Sequence, residues 1–188
     1  MRNFYNRYLY RTEYILKENA KHLAKLYAER FETVTEDAAD RTNVMKAAVQ
    51  SSKGKMTEEE FNQIMSLAGT GRGIISEILV TGSGEIYQYP KNVLPQSASQ
   101  NGVRAEVEKL RSLAEERKEN VLGTPLETEK LSAVSILVSP IFTVQGQKEK
   151  LCGFACAVLD VDKISKEAGW EDLKNKGYSY KLVTESGS

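Results

Sequence analysis

The sequence is poor in the residues that most catalytic and metal sites use. It has one histidine, His22, and two cysteines, Cys152 and Cys156, among 188 residues. A Ser-His-Asp or Cys-His pair would need His22 beside a nucleophile distant in sequence. His22 instead sits in a helical pattern between Lys21 and Lys25, as a solvated or partner-facing residue does. A zinc site takes about four Cys, His or carboxylate ligands, and no such set is present. No metal and no cofactor are therefore expected. If both cysteines lie on one strand, their Cα atoms stand ~13 Å apart. A disulfide needs roughly 4.4–6.8 Å, so they should remain free thiols.

Charge of one sign is also lacking. Lys and Arg number 26, Asp and Glu 26, and the formal net charge is zero. Without a basic excess, nucleic acid is not an expected partner. No stretch approaches the roughly 18 consecutive apolar residues of a membrane span, and Met1–Tyr5 lacks the apolar core of a signal peptide. Contact with a membrane would have to come through flanking segments. There is no P-loop. The Gly69-x-Gly71-x-Gly73 run follows a helical pattern and places Ile at position 74, so it terminates a helix and does not bind a dinucleotide. The clusters Glu58–Glu60 and Glu115–Glu116 read as solvated helix faces.

Glycine and proline are absent from residues 1–52. Leu9, Leu16 and Leu23 recur every seven residues there, and Ala20, Tyr27, Val34 and Ala38 extend the stripe. This predicts one long helix, or two meeting near Val34–Asp40. Such a helix exceeds what one small domain covers, so part of the stripe should meet a partner helix, as in a homodimer. Thr57 and Glu60 form a capping box before Phe61, Ile64, Met65 and Ala68. Ile74–Thr81, the turn Gly82–Gly84 and Glu85–Tyr89 read as a hairpin closed by Pro90. Val103, Val107, Leu110 and Leu113–Ala114 mark a helix ending near Asn120. Strands follow at Ala133–Val144 and Leu151–Val161, then a short helix at Asp162–Ala168 and a last strand at Tyr178–Thr184. The expected class is α+β: a PAS-like antiparallel five-stranded sheet with helices on one side, a long N-terminal helix and short flanking helices. Residues 1–52 form the dimerisation and signalling helix and 53–188 the sensor core, together one domain.

Along Leu151–Val161, Gly153, Ala155, Ala157 and Leu159 share one face, and Cys152, Phe154, Cys156, Val158 and Asp160 the other. The small-residue face suits close packing of the N-terminal helix. Asp160 is placed to cap the following helix.

Four stretches in order resemble the CHASE family of extracytoplasmic sensor domains, related to Cache and PAS-like sensors. They are Ile75–Pro90 (ISEILVTGSGEIYQYP), Val121–Pro125 (VLGTP), Ile136–Phe142 (ILVSPIF), and Gly153–Trp170 (GFACAVLDVDKISKEAGW), the last continuing into Gly177–Leu182. The resemblance covers roughly residues 57–184; its weight lies in order and spacing, since no one motif is specific. It implies a domain outside the plasma membrane that binds a small molecule and regulates a histidine kinase or a diguanylate or nucleotide cyclase. By analogy with the family's pocket, Val134, Ile136 and Val138 join the Phe154/Cys156 face. The implied ligand-binding residues are Tyr87, Tyr89, Arg104, Thr124, Ile136, Val138, Phe154 and Cys156, each of which could equally complete the core. Val107 and Val138 stand where plant cytokinin receptors place polar groups, which argues against cytokinin.

Two other functions compete with a sensor that is not an enzyme. One is an intracellular PAS-like interaction or dimerisation module, which two free thiols favour. The other is a thiol enzyme using Cys156, which the apolar setting disfavours.

Overall fold

The computed structural model describes residues 2–69, 71–91, 98–127, 133–145 and 148–179. The glycine- and proline-free N-terminus forms one unbroken helix, α1 (Arg2–Ser51), about 75 Å long at 1.5 Å per residue. It stops where Lys53 and Gly54 both take positive φ. Helix α2 (Glu58–Ala68) begins with the expected capping box: the Glu60 amide donates to Thr57 Oγ1 and the Thr57 amide donates to the Glu60 carboxylate. Then come β1 (Ile74–Thr81), β2 (Ile86–Tyr89), α3 (Ala98–Arg117), β3 (Val121–Leu122), β4 (Val134–Gln145), β5 (Lys148–Asp160), α4 (Val161–Glu167) and α5 (Trp170–Asn175).

The sheet is antiparallel with strand order β2-β1-β5-β4-β3. Its fifth strand is the two-residue β3. The final strand expected at Tyr178–Thr184 lies outside the described residues beyond Ser179, and Tyr178 and Ser179 themselves belong to no element. Helices cover both faces of the sheet, not one as expected. The apolar stripe of α3 (Val107, Leu110, Ala114) packs against Ile78, Val80, Ile136, Val138, Phe154, Cys156 and Val158. The stripe of α1 crosses the opposite face in three stations. Tyr27 and Phe31 meet Trp170 and Leu173, with the Phe31 and Trp170 rings stacked at 5.1 Å. Val34 and Ala38 meet Ala157, Leu159 and Ile164. Met45 and Val49 meet Leu79, Ala155 and the Phe61/Met65 side of α2.

The small residues of β5 therefore do admit α1 closely: Ala38, Ala155 and Ala157 are all fully buried. One assignment fails. Cys152 joins the α1 side with Met45 and Val49 instead of the Phe154 side. The cause is a bulge. β4 pairs Ile141 with Gly153 and then Phe142 with Leu151, so Cys152 is passed over, and the alternation slips by one. Gly153 absorbs the distortion with φ +145, where a Cβ would sit 2.3 Å from the Val80 carbonyl oxygen.

Arg41 ties this layer together. Its Nε–H donates to Glu77 of β1, and its two terminal nitrogens donate to the carbonyls of Ala68 (2.7 Å) and Gly69 (2.6 Å) at the end of α2. Both charged side chains are buried. One guanidinium thus holds α1, the sheet and α2 in register.

Candidate functional site

The structure divides the eight expected ligand-binding residues. Ile136, Val138, Phe154 and Cys156 come together on the α3 face of the sheet. Strand register explains why: Val138 pairs with Cys156 and Pro140 with Phe154. Tyr87 and Tyr89 do not join them. They pair with Leu79 and Glu77, on the α1 side, and pack there against the cluster containing Phe61 and Met65. The Tyr87 ring lies 6.2 Å from that of Phe61, and its hydroxyl donates to Glu85 at 3.1 Å. Thr124 follows β3 at the far edge of the sheet from β2 and is half-buried. Arg104 lies on α3 two turns before Arg111; its side chain is outside the described residues.

Three of the four buried polar atoms that lack a hydrogen-bond partner among the described residues lie on the α3 side; the fourth is Asn62 Oδ1 on α2. Gln88 sits between the two tyrosines, so its side chain points to the opposite side of β2. Register continues it into a row across the sheet: Gln88, Ile78, Cys156, Val138, Val121. The Gln88 Nε2, the Glu106 Oε1 and the Arg111 Nε are all buried without a hydrogen-bond partner. A buried polar atom left unpaired costs about 1–3 kcal/mol, so three on one layer point to a surface adapted for polar recognition. Glu106 and Arg111 flank the Val107/Leu110/Ala114 stripe on opposite sides, as spacing on a helix requires. Glu106 leans toward β3, where a Cβ on Gly123 would meet its Oε1 at 3.1 Å and Leu110 at 2.8 Å. Gly123 is therefore required for α3 to lie this close to the sheet. Arg111 leans the other way, with its guanidinium 4.8 Å from the centre of the Phe154 ring and Nη1 donating to Glu108 at 2.6 Å. The apolar residues here are packed beneath the α3 stripe, with a cation at one border of that layer and a carboxylate at the other.

Sequence reasoning missed Glu106, Arg111 and Gln88. The signal for the first two was present, since charged residues immediately bordering an apolar helix stripe are half-buried by position. Gln88 required the strand register.

Burial pushes the Cys156 thiol up to about 12, with the Arg111 charge opposing only in part. It remains protonated at neutral pH and cannot serve as a thiolate nucleophile. Both cysteines are free and buried. On the α1 side, Ser139 Oγ lies 3.0 Å from Thr42 Oγ1 and 2.6 Å from Asn120 Oδ1, which also accepts from Lys46 Nζ at 3.1 Å. Desolvation lowers the Lys46 pKa. Among the described residues no group of three or more His, Cys, Asp or Glu is placed to hold a metal ion, and no helix is long and apolar enough to cross a membrane.

No family model and no curated protein sequence matches the chain. Solved structures do match. The ligand-binding domain of the Pseudomonas aeruginosa PAO1 amino acid chemoreceptor PctC, in complex with GABA, superposes with TM-score 0.56 at 11% identity, over 78% of this chain and 66% of that one. The corresponding domain of PctB from the same organism, in complex with L-Gln, gives 0.53 at 15% identity, over 78% and 57%. An extracellular ligand-binding receptor from Desulfohalobium retbaense DSM5692 gives 0.51 at 12% identity, over 76% and 26%. This chain spans less than two thirds of the length of each. All three are ligand-binding domains or receptors, and at these identities the likeness shows the fold: a five-stranded antiparallel sheet behind a long N-terminal helix.

Proposed function

We propose that the chain is the ligand-sensing domain of a membrane receptor and not an enzyme, and that its ligand site is the α3 face of the sheet. The observation that carries this reading is the trio of unpartnered polar atoms (Gln88, Glu106, Arg111) around an apolar layer of Ile136, Val138, Phe154 and Cys156. A small pocket that is mostly apolar, with a few aimed polar groups, is the usual composition of a ligand site. Arg111, beside the Phe154 ring with its Nε unpaired, suits the carboxylate of a small ligand. This agrees with the amino acid ligands of the structural neighbours. We further propose the domain faces outside the cell, held by flanking membrane segments, and that α1 carries the signal to a cytoplasmic output such as a histidine kinase or cyclase. Residues 1–52 serve as the signalling helix and 53–188 as the core. Binding at the α3 face would shift a pre-existing equilibrium in how the sheet seats on α1.

The test is a thermal-shift screen against amino acids, carboxylates, nucleobases and short peptides. A ligand that binds only the native state raises Tm by mass action, about 2.7 kcal/mol of stability at 100 times Kd. A saturable shift with amino acids that disappears in Arg111→Met supports the site. A shift that survives Arg111→Met and Glu106→Gln moves the ligand elsewhere.

A second reading rests on α1. Tyr14, Ile15 and Leu16 are 66%, 48% and 61% exposed, on a helix whose stripe is covered from Leu23 onward. This favours dimerisation through the first part of α1, in a receptor or in an intracellular PAS-like module. Sedimentation of the chain and of Leu16→Asp distinguishes dimer from monomer.

A further inference from the structure

A cleft of about 350 Å³ lies between the last turn of α1 and the end of β4, lined by Gln50, Lys53, Phe142, Thr143 and Val144. It is on the α1 side and shares no residue with the α3 face. Its walls are of two kinds. Phe142 and Val144 are apolar, and Val144 is 74% exposed. Lys53, Gln50 and Thr143 are polar. The Gln50 amide donates to the Phe142 carbonyl at 2.7 Å, which fixes one wall against the other. Thr143 Oγ1 lies 2.9 Å from Cys152 Sγ, which orients its hydroxyl.

Two features select the charge of an occupant. The first is an excess of cations. Lys150 stands across from Thr143 and Lys148 across from Gln145. Lys118 approaches the Phe142 ring to 5.6 Å. Glu149 is the one carboxylate on this stretch of β5, and Lys118 takes it at 2.8 Å. Lys53 itself pairs with no carboxylate among the described residues. The second is the backbone of Lys53, held at φ +55 next to Gly54 at φ +77. A side-chain-bearing residue is disfavoured there and glycine is favoured. This turn closes α1, with the Gly54 amide donating to the Val49 carbonyl at 2.8 Å, and it sets the exposed Lys53 in the wall of the cleft.

We propose that this cleft is a second binding site, for a small carboxylate with an apolar body. The carboxylate meets Lys53 and the Thr143 hydroxyl, and the apolar body lies along Phe142 and Val144. A regulator bound here would touch the end of α1 that is remote from its N-terminus, independently of any ligand at the α3 face.

The test is titration of the ¹⁵N-labelled chain with benzoate, and with benzamide as its neutral counterpart. Saturable shifts at the amides of Gln50, Lys53, Thr143 and Val144 are expected with benzoate and not with benzamide. Lys53→Gly relieves the backbone and removes the charge, so it should raise Tm while weakening benzoate about fivefold, the scale of one partly exposed ion pair. Val144→Asp should weaken it further by repulsion. Arg111→Met, on the opposite face, should leave it unchanged, which separates failure of this site from failure of the α3 site. The proposal is overturned by the absence of saturable shifts, by equal binding of benzamide, by benzoate binding that Lys53→Gly leaves intact, or by shifts confined to the α3 face.

Discussion

Two arginines, one on each side of the sheet, show how differently the two faces are built. Arg41 spends its donors on Glu77 and on the carbonyls of Ala68 and Gly69. Arg111 has one partner from its own helix, Glu108, and a ring beneath it, with its Nε unpaired. The first guanidinium is committed to holding three elements together. The second is only half-buried, with 24% of its side chain exposed against 10% for Arg41, and its one ion-pair partner comes from its own helix. A satisfied buried charge reads as architecture, whereas an unsatisfied one reads as capacity for a ligand.

The comparison can be broken most severely at Glu77. Glu77→Ala strands the buried Arg41 charge and should cost about 3–5 kcal/mol in urea denaturation. Replacing both partners by apolar residues of similar volume should recover most of that loss; a double variant as unstable as the single one would mean that Arg41 is held chiefly by the α2 carbonyls. Next in size is Gly153→Ala, which forces a Cβ against the Val80 carbonyl and should cost about 1–3 kcal/mol. Thr57→Ala, in the layer that Arg41 anchors, should cost about 1 kcal/mol through loss of the cap. It should also flatten a pH dependence. Bonds from the Thr57 backbone and hydroxyl hold the Glu60 carboxyl below its ordinary value. Its contribution is therefore complete above the normal carboxylate range and is lost as pH falls through the depressed value. Acid titrations of the native chain and Thr57→Ala should diverge least at low pH.

Arg111→Met is the counterpart of the Glu77 experiment. Because the Arg111 Nε is unpaired already, the variant should change stability by less than about 1 kcal/mol, yet abolish the ligand-induced Tm shift. A large destabilisation would erase the contrast between the two arginines. The smallest expected effect is none: the native chain should resist mild alkylation at neutral pH, since Cys156 is fully buried and stays protonated. Rapid labelling of Cys156 would show that the α3 layer opens.

The local signals were legible in the amino acids. The Thr57/Glu60 box, the Asp160 cap on Lys163 at 3.0 Å and the close approach of a helix to Ala155 and Ala157 all follow from neighbouring residues. What was not legible depends on partners distant in the chain. Alternation places Tyr87 and Tyr89 opposite Gln88, but only pairing with β1 says which side faces α3. Cys152 was assigned to the wrong face because a bulge is set by the register of two strands, not by one. β3 has two residues, too few for a period to show. The helix at Trp170–Asn175 follows Gly169 in the left-handed region, and its apolar residues, Trp170 and Leu173, are too few to display a stripe. The placement of α3 and α1 on opposite faces is likewise a fact of the whole sheet.

The length of α1 has a mechanical consequence. Among the described residues the sheet and its helices pack on α1 from Leu23 to Val49, and the helix runs on from Leu23 to Arg2 for about 32 Å at 1.5 Å per residue. Tilting that stretch by five degrees at Leu23 carries its tip sideways by about 3 Å, a distance comparable to half a helix pitch. A rearrangement at the sheet too small to alter any contact by more than a fraction of an ångström is therefore magnified at the far end, with the rod as the gain.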